Sequence, residues 1–224
     1  MDGIAQALRE IRARLEAALA LAGRPPGAAT LVAISKRQPE SALRAAYAAG
    51  QRDFGESYAQ ELRDKARALG DLPLLRWHFV GHLQPNKAKY VAETAGLVHA
   101  LDAIETAKAL ANRAGGRRLR CLVQVNLGRE PQKRGVPAEA AESFCRSLLH
   151  LPEIELAGLM CLPPEGEAAR PHFAALGALR DDIARSLGTR LPELSMGMSL
   201  DFEDAVREGA TLVRVGSAIF GARP

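Results

Sequence analysis

Apolar residues recur at steps of four and three through residues 3–22, at Ile4, Leu8, Ile11, Leu15 and Leu19. This spacing predicts an amphipathic helix, stopped by Gly23-Arg24-Pro25-Pro26-Gly27. Beyond it the pattern changes. Short apolar runs at 31–36, 53–56, 77–81, 97–101, 120–127, 155–162, 193–197 and 212–216 alternate with helical stretches. The helical stretches lie near 39–49, 58–69, 86–95, 104–114, 137–150, 166–187 and 201–208. Strands alternating with helices imply right-handed βαβ units and a parallel sheet. Eight such units favour a closed α/β barrel, a single (β/α)8 TIM barrel, over an open doubly wound sheet. The open sheet announces itself by a Gly-rich turn after its first strand. Here that strand ends Ser35-Lys36-Arg37-Gln38-Pro39, without a glycine. The longest Pro/Gly-rich stretch, Leu162-Pro163-Pro164-Glu165-Gly166, is a loop and not a linker. The expectation is one domain over 1–224, with residues 1–23 an extra helix packed on the barrel.

Composition agrees with this pattern. A chain of 224 residues is long enough for one barrel. Residues are 47% hydrophobic but only 4% aromatic, so the core is aliphatic, as suits parallel strands buried on both faces. A net charge of +4, carried by arginines scattered through the helical stretches, reads as solvated helix faces and not as a nucleic-acid surface. The three cysteines, Cys121, Cys145 and Cys161, are odd in number and form no C-x-x-C pair, which argues against a disulfide framework and for a reducing compartment. Five histidines show no ligand spacing, so no metal site is expected. The N-terminus is charged from Arg9 onward, and no apolar run reaches the length of a membrane span. Cytoplasm is the expected location. Monomer is the expected state, because a closed barrel has no edge strand demanding a partner.

In such a barrel the ligand site lies at the C-terminal ends of the strands. The polar residues there are Lys36, then Glu56-Ser57-Tyr58, then His82 with Gln84, Asn86 and Lys87. Later come Asn126, Met160, Ser195 to Ser199, and Arg214 to Ser217. A lysine carried out of a buried strand loses solvent, which favours a nucleophilic amine; the plainer reading is a solvated lysine closing a strand. Arg214 interrupts the apolar run Leu212-Val213-Arg214-Val215. Either a buried salt bridge offsets its desolvation, or it faces the barrel mouth and binds a ligand. The following Gly216-Ser217 favours the ligand. Ser199 precedes Leu200-Asp201-Phe202-Glu203-Asp204, so it is a helix N-cap or a phosphate contact at the positive end of a helix. Ser199 and Gly216-Ser217 fall after the seventh and eighth strands, where barrels often hold phosphate. Lysine, paired phosphate loops and arginine together point to pyridoxal 5'-phosphate (PLP) held as a Schiff base. His82 and Tyr58 either flank its ring or serve packing and capping. Lys87, Lys89 and the Gln132-Lys133-Arg134 loop either attract its phosphate or are solvated.

Seven segments carry a resemblance. They are AISK at 33–36, FGESYAQE at 54–61, WHFVGHLQPNK at 77–87, VQVNL at 123–127, GLM at 158–160, SMGMSLDFEDAV at 195–206 and VRVGSAIFGAR at 213–223. In this set the chain resembles the pyridoxal phosphate homeostasis protein family, single-domain relatives of the alanine racemase barrel. The resemblance implies a fold-type III PLP barrel without a C-terminal β domain. It further implies PLP on Lys36, its phosphate on Ser199, Gly216 and Ser217, and its pyridine nitrogen on Arg214. Ser57 departs from the family's F-G-E-N-Y segment, where asparagine stands, and alters a polar contact near the site.

Three functions compete. The chain sequesters PLP and delivers it to apo-enzymes, maintaining vitamin B6 homeostasis; or it is a PLP-dependent amino-acid racemase or decarboxylase; or it is a Schiff-base aldolase without cofactor. The aldolase leaves the phosphate loops and Arg214 unexplained. Racemisation needs a second acid/base opposite the lysine, which in alanine racemases comes with an additional C-terminal domain, and this sequence stops at Pro224. An arginine does not protonate the pyridine nitrogen, so the ring stays neutral and is a poorer electron sink. Binding and delivery, with no catalytic residue, is the expectation.

Overall fold

A computed structural model describes residues 2–128, 130 and 133–221. Its strands are β1 (Thr30–Ile34), β2 (Asp53–Glu56), β3 (Arg76–Phe79), β4 (Leu97–Leu101), β5 (Leu119–Asn126), β6 (Val136–Pro137), β7 (Ile154–Cys161), β8 (Glu193–Ser195) and β9 (Leu212–Val215). Every pairing is parallel. The order runs β4-β3-β2-β1-β9-β8-β7-β5, and a β4–β5 pairing closes the ring. All eight expected strands take part, and the result is the closed barrel. β6 was not expected: it adds two residues beside β5, where the sequence pattern had already begun a helix. Pro137 holds an extended ψ of 143°, and the helix α6 (Ala141–Leu148) starts only after it.

Helices surround the ring: α1 (Asp2–Leu21), α2 (Glu40–Ala48), α3 (Ala59–Ala68), α4 (Ala88–Thr94), α5 (Ile104–Ala111), α6, α7 (Ala169–Leu187), α8 (Phe202–Arg207) and α9 (Ser217–Phe220). α1 packs against α2, α8 and α9 through the stripe its spacing predicts, with Leu8, Ile11, Leu15 and Leu19 buried. Each such side chain contributes about 1.5–3 kcal/mol by leaving water. α7 tolerates Pro171 because it lies in the first turn, and it ends at Gly188 in the left-handed conformation, φ 60°. Among the described residues no helix is long and apolar enough to cross a membrane.

Two cores result. The larger fills the space between strands and helices. The smaller plugs the barrel itself with Val32, Leu97, Ala100, Leu122, Ala157, Met160 and Leu212. β7 and β8 approach so closely that a Cβ on Gly158 would sit 1.9 Å from the Glu193 carbonyl oxygen, which leaves no room for a side chain there. The filled interior leaves chemistry to the two mouths of the barrel.

Candidate functional site

The C-terminal mouth gathers the residues singled out from the sequence. β1 stops at Ile34, two residues earlier than its apolar run suggests, so Lys36 stands in the turn beyond the strand. It is half-buried, and its side chain makes no hydrogen bond or ion pair with a described residue. Both peptide groups flanking it are tied down. Lys65 Nζ donates to the Ser35 carbonyl at 2.6 Å, to Glu56 Oε1 at 2.9 Å and to Glu61 Oε1 at 2.7 Å, while Arg37 N donates to Glu61 Oε1 at 2.5 Å. Arg37 itself takes a positive φ of 60°, a conformation uncommon for a residue with a side chain. Glu56 is fully buried and also accepts from Ser35 Oγ at 2.6 Å. Burial pushes its carboxyl up, against the pull of Lys65 and Ser35. Sequence reading missed this clamp. Its legible trace was the Glu61–Lys65 spacing of four on one helix face.

Register places the second loop beside the first. Val32 pairs with Arg214 and Ala33 with Val215, so Gly216 lies against Ile34. A Cβ on Gly216 would meet the Ile34 carbonyl at 3.2 Å and its Cβ at 3.3 Å, tight enough to favour glycine. Ser217 opens α9 and is exposed, and its Oγ lies 3.4 Å from Ser199 Oγ. The structure thus brings the two serine loops together. Ser199 is not the helix cap: α8 begins at Phe202, the cap position is Asp201, and Asp201 Oδ1 accepts from Met198 N at 2.6 Å. The hydroxyl of Ser199 is therefore released from capping and turned toward Ser217.

Arg214 is 5% exposed. The buried salt bridge that would explain it structurally is missing, since among the described residues no carboxylate lies within ion-pair distance. Nη1 donates to Ser195 Oγ at 2.5 Å and Nη2 to the Cys161 carbonyl at 3.0 Å. Burial pulls its pKa below the ordinary arginine value, opposed by Cys161 and Asp201. Asn126 and Lys133 serve the loop instead: Asn126 Nδ2 donates to the Glu130 and Lys133 carbonyls, and Lys133 Nζ binds the Pro163 carbonyl at 3.1 Å and Glu130 at 2.9 Å. Gln132 lies outside the described residues. Ser57, Tyr58, His82, Gln84 and Lys87 line a neighbouring groove, where Tyr58 Oη accepts from Arg37 at 3.3 Å.

Behind Arg214 runs a feature that sequence reading passed over: Ser195, His99, His78 and Asp53 form a continuous hydrogen-bonded chain inside the barrel. Its trace was the polar residues at alternate, inward positions of β2, β3 and β4. Burial, with His78 and Arg214 nearby, holds the His99 imidazole well below its ordinary pKa of 6.5. Below about pH 6.5 the unfolded chain takes up a proton at His99 that the folded chain refuses, so stability falls by about 1.4 kcal/mol per pH unit. Urea unfolding at pH 7 and 5.5 should show this loss, and His99→Gln should reduce the slope; an unchanged slope would assign the acid sensitivity elsewhere.

Residues 7–224 match the family described as alanine racemase, N-terminal domain. The pyridoxal phosphate homeostasis protein of Pseudomonas aeruginosa is 43% identical over 226 residues, covering all of this chain and 97% of the relative. The Escherichia coli K12 protein of the same name is 40% identical, with 100% and 98% covered. The chain belongs to the pyridoxal phosphate homeostasis protein family. PipY of Synechococcus elongatus has been solved with PLP bound; it superposes with a TM-score of 0.86 at 37% identity, over 97% of this chain and all of that one. Alanine racemase of Corynebacterium glutamicum shares the fold at a TM-score of 0.73 but only 19% identity, and this chain spans 62% of it.

Proposed function

We propose that this protein binds PLP at the C-terminal mouth of the barrel, holds it in reserve and hands it to apo-enzymes, maintaining the intracellular supply of vitamin B6 cofactor. The observation that carries the reading is Arg214, a buried guanidinium satisfied from behind by neutral acceptors and left without a carboxylate. A buried cation of this kind needs an acceptor on its open side. A pyridine nitrogen supplies one. Lys36 contributes a free amine for the aldehyde, and Ser199, Gly216 and Ser217 contribute the paired loops for the phosphate. The residues present therefore fit the cofactor. PLP bound in this way supplies an electrophilic aldehyde on an aromatic ring.

Holding is favoured over turnover. Arg214 keeps its proton, so it donates a hydrogen bond to the ring nitrogen without charging the ring. The three cysteines are buried, with thiols pushed up to about 12, and supply no thiolate base. Relatives matched over nearly their whole length are named for homeostasis. Tyr58, Leu162, Met198 and Leu200, in loops following β2, β7 and β8, are exposed and offer apolar contact to a recipient enzyme. Free, buried cysteines fit a reducing cytoplasm, and the closed ring fits a monomer.

The test uses holo-protein, an apo-enzyme and an excess of a PLP-trapping scavenger. Activity restored despite the scavenger supports direct hand-over; activity blocked by it reduces the protein to a simple store. Incubation with each common L- or D-amino acid, followed by chiral chromatography and carbon dioxide measurement, should show negligible conversion. Turnover of about 1 per second or more, lost in Lys36→Ala, would establish a racemase or decarboxylase instead.

A further inference from the structure

The chain behind Arg214 has only one arrangement of hydrogens that satisfies every member. Arginine has no acceptor, so Arg214 Nη1 donates and Ser195 Oγ accepts, at 2.5 Å. Ser195 is fully buried, and its own hydrogen has one acceptor among the described residues, His99 Nδ1 at 2.7 Å. His99 must therefore carry its hydrogen on Nε2, which points at His78 Nδ1, 2.9 Å away. His78 in turn carries its hydrogen on Nε2, 3.0 Å from Asp53 Oδ1. Asp53 is the terminus: both its oxygens also accept from Arg76, at 2.7 Å and 2.5 Å. Burial pushes the Asp53 carboxyl up, but the bonds from His78 and Arg76 outweigh it and hold it below the ordinary range.

The opposite direction fails. It would put a hydrogen on His99 Nδ1, aim it at Ser195 Oγ, and strand the serine hydrogen in the core at a cost of about 1–3 kcal/mol. In the satisfied direction every donor points from Arg214 toward Asp53, so the lone-pair ends of the dipoles face the guanidinium. A row of aligned neutral groups then does what an adjacent carboxylate would do, while leaving the front of Arg214 open. The formal negative charge that ends the row is four hydrogen bonds away, at the other mouth of the barrel.

We propose that Ser195, His99, His78 and Asp53 are positioning residues of the cofactor site, a one-directional relay that fixes the Arg214 guanidinium from behind and sets its hydrogen bond to the PLP ring nitrogen. The proposal rests on the PLP reading above. The hydrogen arrangement, however, belongs to the cofactor-free protein, and it is tested there first. Long-range proton–nitrogen correlation NMR on the protein labelled with nitrogen-15 in its histidines should find His78 and His99 neutral at pH 7, both with the hydrogen on Nε2. A hydrogen on His99 Nδ1, or an imidazolium at either residue, overturns the relay.

Two variants then test the link to the site. In Asp53→Asn the amide Oδ1 can still accept from His78, so both tautomers should hold, but the negative charge that ends the row is gone; the absorption maximum of bound PLP should shift, although the substituted position sits at the far mouth. An unchanged spectrum and Kd in this variant would leave a relay that positions nothing. Should Asp53→Asn fold poorly, Ser195→Ala should weaken PLP binding about tenfold, and Ser195→Thr, which keeps the hydroxyl, should restore it. Ser195→Ala with wild-type affinity and spectrum overturns the proposal. Wild-type protein that takes up no PLP overturns the cofactor reading, whereas wrong tautomers in a protein that does bind PLP overturn the relay alone.

Discussion

Lys36→Ala should abolish the yellow colour of PLP-loaded protein and every trace of covalent attachment, while leaving the fold in place. The half-buried Lys36 side chain has no partner among the described residues, so its loss should change stability by no more than about 0.5 kcal/mol. Borohydride reduction of the loaded wild type, followed by peptide mapping, should place a pyridoxyl group on Lys36. Lys65 is the informative control. Its amine is buried against Glu56 and Glu61, and Lys65→Ala would leave Glu56 without its cation at a cost of about 3–5 kcal/mol. The two lysines should thus separate cleanly, one losing the adduct and keeping stability, the other losing stability first. An adduct found only on Lys87 or Lys133 would remove Lys36 from the site.

What the sequence made legible follows from which forces act locally. All eight barrel strands were readable: β1, β5, β7 and β9 carry the largely apolar runs of strands buried on both faces, while the shorter β2 and β8 were placed by their spacing between helical stretches. Their ends were less so. β1, β3 and β8 stop two residues short of their expected ends, and in β8 the reason is local: Met196, just past the strand, is still fully buried. The loop positions of Lys36, Gly216 and Ser217 followed from strand order alone. The partnership of Ser199 with Ser217 did not, for Ser199-Leu200-Asp201 carries two residues of capping type and only the folded loop shows that Asp201, not Ser199, occupies the cap position. The clamp of Lys65 and the relay behind Arg214 left only partial traces for another reason. Each joins residues from several strands or helices across the barrel, and no sequence spacing records which inward positions share a layer. Arg214 shows the consequence: its sequence allowed a salt bridge or a ligand, and the absence of a carboxylate partner among the described residues removes the first.

Removing the phosphate from the cofactor should weaken binding far more than removing any one hydroxyl from the protein. Pyridoxal keeps the aldehyde for Lys36 and the ring nitrogen for Arg214, but gives the two serine loops nothing to hold. Ser199 and Ser217 present hydroxyls 3.4 Å apart, and the first N–H groups of the α9 turn lack intrahelical acceptors. Hydrogen bonds to a charged group contribute about 1.5–3 kcal/mol each. Losing two of them at once lowers affinity by about a hundredfold or more, whereas Ser217→Ala, which leaves the backbone donors in place, should cost about tenfold. Gly216→Val should approach the effect of losing the phosphate altogether, because its side chain must displace the Ile34 backbone against which the loop rests. Equilibrium dialysis of PLP and pyridoxal against the wild type and both variants measures all of this. Equal affinity of the wild type for the two vitamers would show that the paired loops hold no phosphate, and would leave Lys36 and Arg214 to account for binding alone.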